Sequence, residues 1–339
     1  MSNELVSLLD ITSRRGTDQA VGLVEEVMTY APEMEKIMGR PIPGTYYTAK
    51  IRTSLGSKSA FRSANAGVNT SASKYTQKRF DCFFFDGQLQ VDEAEARAAE
   101  QQGDSLAMLQ ADEANGVLRE KAIAFGKQVY LGTANDASGF PGLMDFLTAQ
   151  AGVIDPTTGA AVDQTVNAGG TSTGCERAWF IRMDTQGVHF LFGGNQGIDI
   201  KPWFLQRVSD PADSTKSFMA WISNISGYIG LSSANVRAVG CIKNIQPNWT
   251  TWASGKPLTD ALIAQLMKKF PVGYGPNLVF MSRNARASLQ VSRTPTIFAT
   301  LAGPKATVGD IGAIAPLPTA TNDGVPIIPT DSISTETAS

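Results

Sequence analysis

The apolar residues in the first 135 positions follow two different periods. Residues 18–38 place apolar side chains near helical spacing, and Pro32 predicts a break or kink in that helix. Residues 45–53 and 74–91 are rich in aromatic and β-branched side chains and flank a polar tract, which predicts a long hairpin. Residues 104–131 return to a helical period, with Asp104 as the candidate N-cap. That helix would be about 40 Å long, which is unusual for a core element.

The remaining residues predict a β-rich region with two helices. The predicted strands are 178–183, 188–192, 218–229, 236–242 and 277–281, followed by a proline-bearing edge strand at 324–329. Thr259 caps the first helix, predicted at 260–270, and Ser282 begins the second. The chain therefore has the pattern of an α+β fold. Because a hairpin alone is marginal in water, we expect the hairpin to find its packing partner elsewhere.

The composition excludes several classes of protein. Lys and Arg number 29 and Asp and Glu 31, so the net charge of −2 argues against binding nucleic acid by bulk electrostatics. The sequence contains no run of 18 apolar residues, so no membrane-spanning helix is predicted. The first 18 residues carry several charges and do not resemble a signal peptide. The three cysteines lie far apart in the sequence, which predicts neither a disulfide framework nor a metal knuckle. We expect a protein made and kept in a reducing cytoplasm.

Charge is divided sharply between two neighbouring segments. Residues 41–80 carry seven basic side chains and no acid, whereas residues 81–120 carry ten acids and two arginines. Net charges of +7 and −8 predict electrostatic complementarity, either within the subunit or between copies, and two solvated faces would give the same pattern. The residues that we expect at an inter-subunit contact are Lys50, Arg52, Lys58, Arg62, Lys74, Lys78 and Arg79 on the basic side and Asp92, Glu93, Glu95 and Glu100 on the acidic side.

Ser172 and His189 are the residues that a serine hydrolase would use. Residues 170–174 match the G-x-S-x-G pattern of a nucleophile elbow, but that turn needs an apolar strand before it and a helix after it, and neither pattern flanks Ser172. His189 is the only histidine, which excludes a multi-histidine metal site. Apolar neighbours place it on a predicted strand. We therefore expect a structural His189 and no catalytic, cofactor or metal site.

Several short motifs, in a fixed order over nearly the whole chain, resemble the major capsid proteins of tailed bacteriophages with the Hong Kong 97-type fold. The motifs are IRTSL at 51–55, GD at 103–104, YLGT at 130–133, GFPGL at 139–143, GVH at 187–189, YIGL at 228–231, VR at 236–237, IKNI at 242–245, FMSRN at 280–284 and GVPI at 324–327. The order of helical arm, basic hairpin, acidic long helix and mixed α/β remainder is also similar.

The resemblance implies a division of the chain into four parts. Residues 1–40 would be the N-terminal arm, 41–91 the extended loop (E-loop hairpin), 92–135 the spine helix of the peripheral domain, and 136–339 the axial domain with returning peripheral strands. No residues are left for a built-in scaffolding segment, so the resemblance implies a separate scaffolding protein.

The same resemblance implies a structural function and no enzyme activity. Copies would assemble as pentamers and hexamers into an icosahedral phage head, formed in the host bacterial cytoplasm, that encloses double-stranded DNA without sequence specificity. A portal protein and a decoration protein would be further partners, with no cofactor and no membrane. An encapsulin-type compartment, which encloses an enzyme cargo in the same fold, remains an alternative, as does a hydrolase built on Ser172 and His189.

Overall fold

The computed structural model describes residues 31–54, 61–67, 70, 72–101, 103, 105–155, 161–171, 173–195, 197–210, 213, 215–247, 255–301 and 316–333. Its helices are α1 (Glu33–Lys36), α2 (Glu93–Gln101), α3 (Leu106–Leu131), α4 (Leu143–Gln150), α5 (Asp260–Met267) and α6 (Arg283–Leu301). No helix in these ranges is long and apolar enough to cross a membrane.

The strands form three sheets. The hairpin consists of β2 (Tyr46–Ser54) and β3 (Lys74–Asp81). A second sheet, called here the β10 sheet, contains β1 (Gly39–Pro41), β4 (Phe83–Asp92), β7 (Val188–Phe192), β8 (Asp199–Ile200), β9 (Phe204–Ser209) and β10 (Ser217–Ser233). Its strand order is β1-β7-β10-β4, and β8 and β9 also pair with β10. The third sheet, called here the β6 sheet, contains β5 (Thr165–Asn167), β6 (Glu176–Ile181), β11 (Val239–Ile245), β12 (Leu278–Met281) and β13 (Ile327–Pro329). Its strand order is β13-β12-β6-β11-β5.

The long helix α3 connects the two larger sheets. One face of its last two turns is buried: the Tyr130 ring stacks on Trp179 of β6 at 6.1 Å between centroids, and Phe125 meets Phe190 of β7 at 5.1 Å. The predicted helix is confirmed over 26 residues, although its N-cap is Ser105, whose hydroxyl accepts a hydrogen bond from the Met108 amide. The predicted cap, Asp104, lies outside the described residues.

The predicted second strand of the hairpin, residues 74–91, is wrong as a single strand. Cys82 separates β3, which pairs with β2, from β4, which joins the β10 sheet through ten residue pairs. Gly230 makes this switch possible, because a Cβ there would lie 2.6 Å from the Asp81 carbonyl oxygen where the chain crosses β10. The alternation of β4 then buries Leu89 and Val91 on one side of the sheet and leaves Phe84, Asp86 and Gln88 exposed on the other.

Most other predicted elements are confirmed, with shifted bounds. The strand at 188–192 matches β7, Thr259 caps α5 through the Leu262 amide, and β13 is an edge strand. The predicted strand at 236–242 begins as a 3₁₀ turn, because the Asn235 side chain accepts from the Arg237 amide, and β11 starts only at Val239. Of the predicted N-terminal helix, residues 18–30 lie outside the described residues.

A buried carboxyl group joins α1, α3 and the C-terminal segment. Tyr130 donates to Glu33 Oε1 at 2.8 Å, Thr330 donates to the same oxygen, and Ser332 donates to Oε2 at 3.3 Å. Burial raises the pKa of the Glu33 carboxyl, and the hydroxyl hydrogen bonds oppose that rise. Gly126 of α3 is required at this junction, because a Cβ there would overlap Ser332 Oγ.

Candidate assembly surface

The hairpin has two faces of different chemistry, which follow from the pairing of β2 with β3. On the inner face, Ala49 and Phe80 are buried in the main core, and the Phe80 ring meets Phe146 of α4 edge-on at 6.2 Å. The expectation that the hairpin finds its packing partner elsewhere is therefore confirmed for this face, and the partner is α4 of the same subunit.

The outer face alternates cations with tyrosines. Arg79 lies over the Tyr46 ring at 4.2 Å from the centroid, while Lys50 and Arg52 lie over the Tyr75 ring at 4.9 and 5.3 Å. Both tyrosines are half exposed. We call these five residues the cation ladder. Its cations lie over aromatic rings, and among the described residues only Arg79 of these cations also forms an ion pair, with Asp81 at 2.6 Å.

The other basic residues predicted at a contact occupy different positions. Lys78 is on the inner face, where its Nζ lies 5.0 Å from the Phe80 ring centroid and donates to the Ser233 carbonyl at 3.4 Å. Burial lowers the pKa of Lys78. Lys74 is exposed near the far end of β3, and Arg62 at the tip donates to the Ala66 carbonyl at 2.8 Å. Lys58 lies outside the described residues.

The predicted acids lie at the start of α2 and along it. The Asp92 carboxylate accepts from the Ala94 amide and so caps the helix, and Glu93 pairs with Arg97 one turn later at 2.5 Å. Glu95 is half-buried and Glu100 is exposed.

The hairpin and α2 lie at opposite ends of β4. Strand β10 pairs with β4 from Ala220 opposite Asp92 to Ile229 opposite Phe83, and it then continues to Ser233, which the hairpin contacts through Lys78. The hairpin thus extends beyond the start of β4, and α2 begins at its other end. Ten residues of strand separate them by about 33 Å. The cation ladder and the α2 acids are therefore too far apart to pair within one subunit.

A concave surface near the root of the hairpin is lined by aromatic side chains. This aromatic groove is formed by Phe83, Phe84, Phe85, Phe125, Phe140 and Ile229, and it has a volume of about 180 Å³. Phe84 is 75% exposed, and its ring lies 4.9 Å from that of Tyr228 on the solvent side of the β10 sheet. Asp136 and Ala124 are at the rim, and both are exposed.

The hydrolase alternative would require His189 to act as the base for Ser172. His189 is fully buried in β7, and neither ring nitrogen hydrogen-bonds to another described residue. Burial lowers the pKa of His189, and its ring lies edge-on to Tyr47 at 6.2 Å. The predicted position of His189 on a strand is confirmed. Ser172 lies outside the described residues, and the segment after it forms strand β6, where a nucleophile elbow needs a helix.

Two features of this surface were not predicted from the sequence. The tyrosines of the cation ladder were assigned to the strand pattern alone, although Tyr46, Lys50 and Arg52 are separated by even numbers of residues, which already places them on one face. The aromatic groove combines residues from β4, β10, α3 and the loop before α4, which no local pattern connects.

Solved structures similar to this chain are phage capsid proteins and a related shell protein. The capsid protein of bacteriophage epsilon15 is 18% identical, with a TM-score of 0.68 over 100% of this chain and 98% of that one. The capsid of bacteriophage JBD30 decorated with minor capsid protein trimers is 10% identical, with a TM-score of 0.50 over 98% and 100%. An encapsulin from Synechococcus elongatus PCC 7942 is 10% identical, with a TM-score of 0.40 over 71% and 96%.

The epsilon15 similarity covers both chains almost completely, which identifies the α+β architecture as the Hong Kong 97-type phage capsid fold. No curated protein sequence matches significantly. The model of the family named Major capsid protein GP7 matches residues 37–338, from directly after α1 to beyond β13. That match spans nearly the whole chain, and the chain therefore belongs to the Major capsid protein GP7 family of phage head proteins.

Proposed function

We propose that copies of this chain assemble as pentamers and hexamers into an icosahedral phage head around double-stranded DNA, with the cation ladder of one copy lying against α2 of the next. The observation that supports this arrangement is the separation of the two charged surfaces by the length of β4. A copy with a basic end and an acidic end can make a head-to-tail contact, and such contacts form a ring when the rotation between successive copies closes.

The charges at this contact act together. The proposed basic residues are Lys50, Arg52, Lys58, Arg62, Lys74 and Arg79, and the proposed acids are Asp92, Glu93, Glu95 and Glu100. Each exposed pair contributes only about 0–1 kcal/mol. Repeated around every ring, the pairs would steer association and set its register more than its affinity. We leave Lys78 out of this set because its ammonium group binds its own subunit.

The further partners follow from the family. We infer a separate scaffolding protein and a portal protein, both present during assembly in the host bacterial cytoplasm. The JBD30 capsid carries minor capsid protein trimers, and we propose a decoration protein on this shell as well. The net charge of −2 suits a wall that encloses DNA without binding it tightly. We propose that the chain has no catalytic activity of its own, since its one histidine is buried in a strand.

Electron microscopy of the purified chain, alone and with its cognate scaffolding protein, tests this proposal. We expect shells, tubes or rings of five and six subunits. A protein that stays monomeric at high concentration, at low and high salt and with the scaffolding protein present, would contradict the proposal.

A further inference from the structure

We propose that the outer edge of strand β9 in one copy pairs in parallel with the outer edge of strand β4 in a second copy, so that the β10 sheet continues from copy to copy. This inference rests on the proposed assembly and adds to it a contact of a different kind. The charged contact joins side chains, whereas this one joins backbone groups.

Strands β4 and β9 lie on opposite sides of β10 and form the two edges of the sheet there. Strand β10 pairs with β9 over residues 217–222 and with β4 over residues 220–229. Within the described residues, neither β4 nor β9 pairs with any other strand. An open strand edge is a template for another strand, and native proteins keep such edges short or covered. The ten residues of β4 are a long edge, which we expect the assembled protein to cover.

One hydrogen bond of 2.9 Å, from the Lys201 amide to the Asn224 carbonyl, shows which way the backbone groups of β10 point. Lys201 directly follows β8, which pairs with Ile225 and Ser226 on the side of β10 away from β4. In an antiparallel pair, the N–H and C=O of one residue point to the same side, and successive residues alternate. The even-numbered residues of β10 around Asn224 therefore point away from β4, and the odd-numbered residues point towards it.

The pairing registers carry this alternation to both edges. Each even-numbered residue of β10 lies opposite an even-numbered residue of β4, so the even-numbered residues of β4 direct their N–H and C=O groups to the open edge. In β9 the even-numbered residues bond to β10, and the odd-numbered ones are open. The residues with open backbone groups are Phe84, Asp86 and Gln88 on β4 and Leu205, Arg207 and Ser209 on β9.

Parallel pairing fits both the open groups and the faces of the sheet. In a parallel pair, a residue that bonds to the neighbouring strand lies opposite one that points away from it. An open even-numbered residue of β4 then lies opposite an even-numbered residue of β9, and their side chains project from the same face. Antiparallel pairing would place open residues opposite each other, which requires the second copy to be turned over. The parallel register that we propose sets Phe84 beside Phe204 and Asp86 beside Gln206.

The proposed register joins two exposed aromatic side chains on the solvent side of the sheet. Phe84 lies opposite Tyr228 of β10 and is 75% exposed, and Phe204 lies opposite Ile222 and is 42% exposed. Neighbouring aromatic side chains on adjacent strands stabilise a sheet. The new contact would therefore remove apolar surface from water as well as pair the backbone groups.

Charge favours pairing between unlike edges. Strand β4 carries Asp86 and Asp92 and no basic residue, whereas β9 carries Arg207 and no acid. Two β4 edges, or two β9 edges, would bring like charges together, and β9 with β4 brings opposite charges together. Because each copy has one edge of each kind, the contact is head-to-tail and can repeat along a series of copies.

Hydrogen–deuterium exchange of dissociated subunits and of assembled particles tests the inference. In the subunit, we expect the open amides of Phe84, Asp86 and Gln88 and those of β9 to exchange quickly. In the particle, both sets should exchange at least about tenfold more slowly. The amides of Phe85 and Gly87, which bond to β10 in either state, are the internal control and should be protected in both.

Proline tests the contribution of one open N–H group. Gln88→Pro removes an N–H that points away from β10, a position at which an edge strand tolerates proline. Gln88→Thr keeps the N–H and is the matched control. We expect Gln88→Pro to raise the critical concentration for assembly about tenfold or more, because a carbonyl of the neighbouring copy is left without its donor. Circular dichroism should show both variants folded.

A cysteine pair identifies the two strands that meet. Parallel neighbours have Cα atoms about 4.8 Å apart, within the range that a disulfide spans. Asp86→Cys combined with Gln206→Cys should give a ladder of disulfide-linked copies on non-reducing gels, and neither single variant should do so. The native thiols interfere little: burial and the Asp81 charge raise the pKa of Cys82 to about 11, and Cys175 and Cys241 are buried.

The outcomes separate this inference from the proposed function. Slower exchange at both edges together with the disulfide ladder supports the strand pairing. Particles whose edges exchange as fast as in the subunit, or that give no ladder, overturn the pairing and leave the proposed function standing. Slower exchange at β4 alone shows that another segment covers it and also overturns the pairing. If the wild-type chain never assembles, both proposals fail together.

Discussion

The hydroxyl of Tyr130 donates a hydrogen bond of 2.8 Å to Glu33 Oε1, across 97 positions of the sequence. Both groups are buried, and Thr330 and Ser332 complete the shell around the carboxyl group. A carboxyl group in this position destabilises the folded state more when it is ionised than when it is protonated, since burial penalises the charged form. The junction of the N-terminal segment with α3 therefore depends on pH.

Replacing Glu33 by Gln should change how stability varies with pH. Burial raises the folded-state pKa of Glu33 above its ordinary value of 4.5, so the folded state holds its proton more tightly than the unfolded state does. The resulting stabilisation is fully present below pH 4.5 and is lost as pH rises through the folded-state pKa. Urea unfolding of Glu33→Gln and wild type between pH 4 and pH 8 should show the variant gaining relative stability towards pH 8. Glu35→Gln, on the exposed side of α1, is the control, and this surface substitution should change the stability of the protein little.

Two glycines of the same helix should respond oppositely to an added methyl group. In Gly126→Ala, the new Cβ overlaps Ser332 Oγ and lies 2.9 Å from Glu33 Oε2, so overpacking should destabilise the protein by about 1–3 kcal/mol. In Gly116→Ala no described neighbour lies within 4 Å of the new Cβ. Because alanine is a better helix former than glycine, this substitution should stabilise the protein by about 0.5–1 kcal/mol. Thermal unfolding of both variants measures the difference. Equal effects would contradict the packing described around Glu33.

Reversing the exposed charges of the hairpin should block or misdirect assembly. The variant carries Glu at Lys50, Arg52 and Lys74, all exposed on the hairpin, and its subunit should remain folded because the inner face is unchanged. Adding Lys at Glu93 and Glu100 should restore part of the assembly if those acids are the partners. Sedimentation at low and high salt, together with circular dichroism, measures both effects.

Controls for the charge reversal come from the same chain. Lys78→Met removes a charge from the inner face and should assemble normally. Reversal of Lys201, Lys216 and Lys268 changes the net charge equally at exposed positions off the hairpin and should have little effect. If the hairpin reversal assembles as well as this second triple variant, the electrostatic contact is wrong, and the family assignment is unaffected.

His189→Leu should fold and assemble normally and should be less sensitive to acid than the wild type. Neither ring nitrogen of His189 bonds to another described residue, so an apolar side chain loses no hydrogen bond observed there. Burial lowers the pKa of His189 below 6.5, so the wild type loses stability as pH falls from 6.5 towards the folded-state value. Thermal unfolding at pH 5 and pH 8 should show the variant gaining relative stability at pH 5. A variant that fails to assemble while remaining folded would point to a functional role for this histidine.

Periodic segments could be predicted from the sequence, and sheet membership could not. Strand β7 and helix α3 have uninterrupted patterns, and both were located within one or two residues. The change of sheet at Cys82 has no local signal, because the strand pattern continues on both sides and the cause is a close approach to Gly230, about 150 residues later. The burial of Glu33 likewise depends on Thr330 and Ser332 at the far end of the chain.

At the candidate assembly surface, too, features set by nearby residues could be predicted from the sequence, and features set by distant residues could not. Counting charges identified the basic and acidic segments, and the outer-face positions Lys50, Arg52 and Arg79 were among the predicted residues. The inward direction of Lys78 required knowledge of which face packs on Phe146. The aromatic groove required the tertiary structure, because its residues come from four separate parts of the chain.

The position of β4 between the hairpin and α2 has a mechanical consequence. If neighbouring copies hold these two ends, any tension around a ring runs along the β4 backbone. The hydrogen bonds between β4 and β10 lie perpendicular to the strands, so a pull along the strand loads all ten residue pairs together instead of opening them one at a time. The strand would then carry the tension between neighbouring copies. Pressure from the packaged contents would load the β4–β10 pairing in shear, the direction in which paired strands resist separation most strongly.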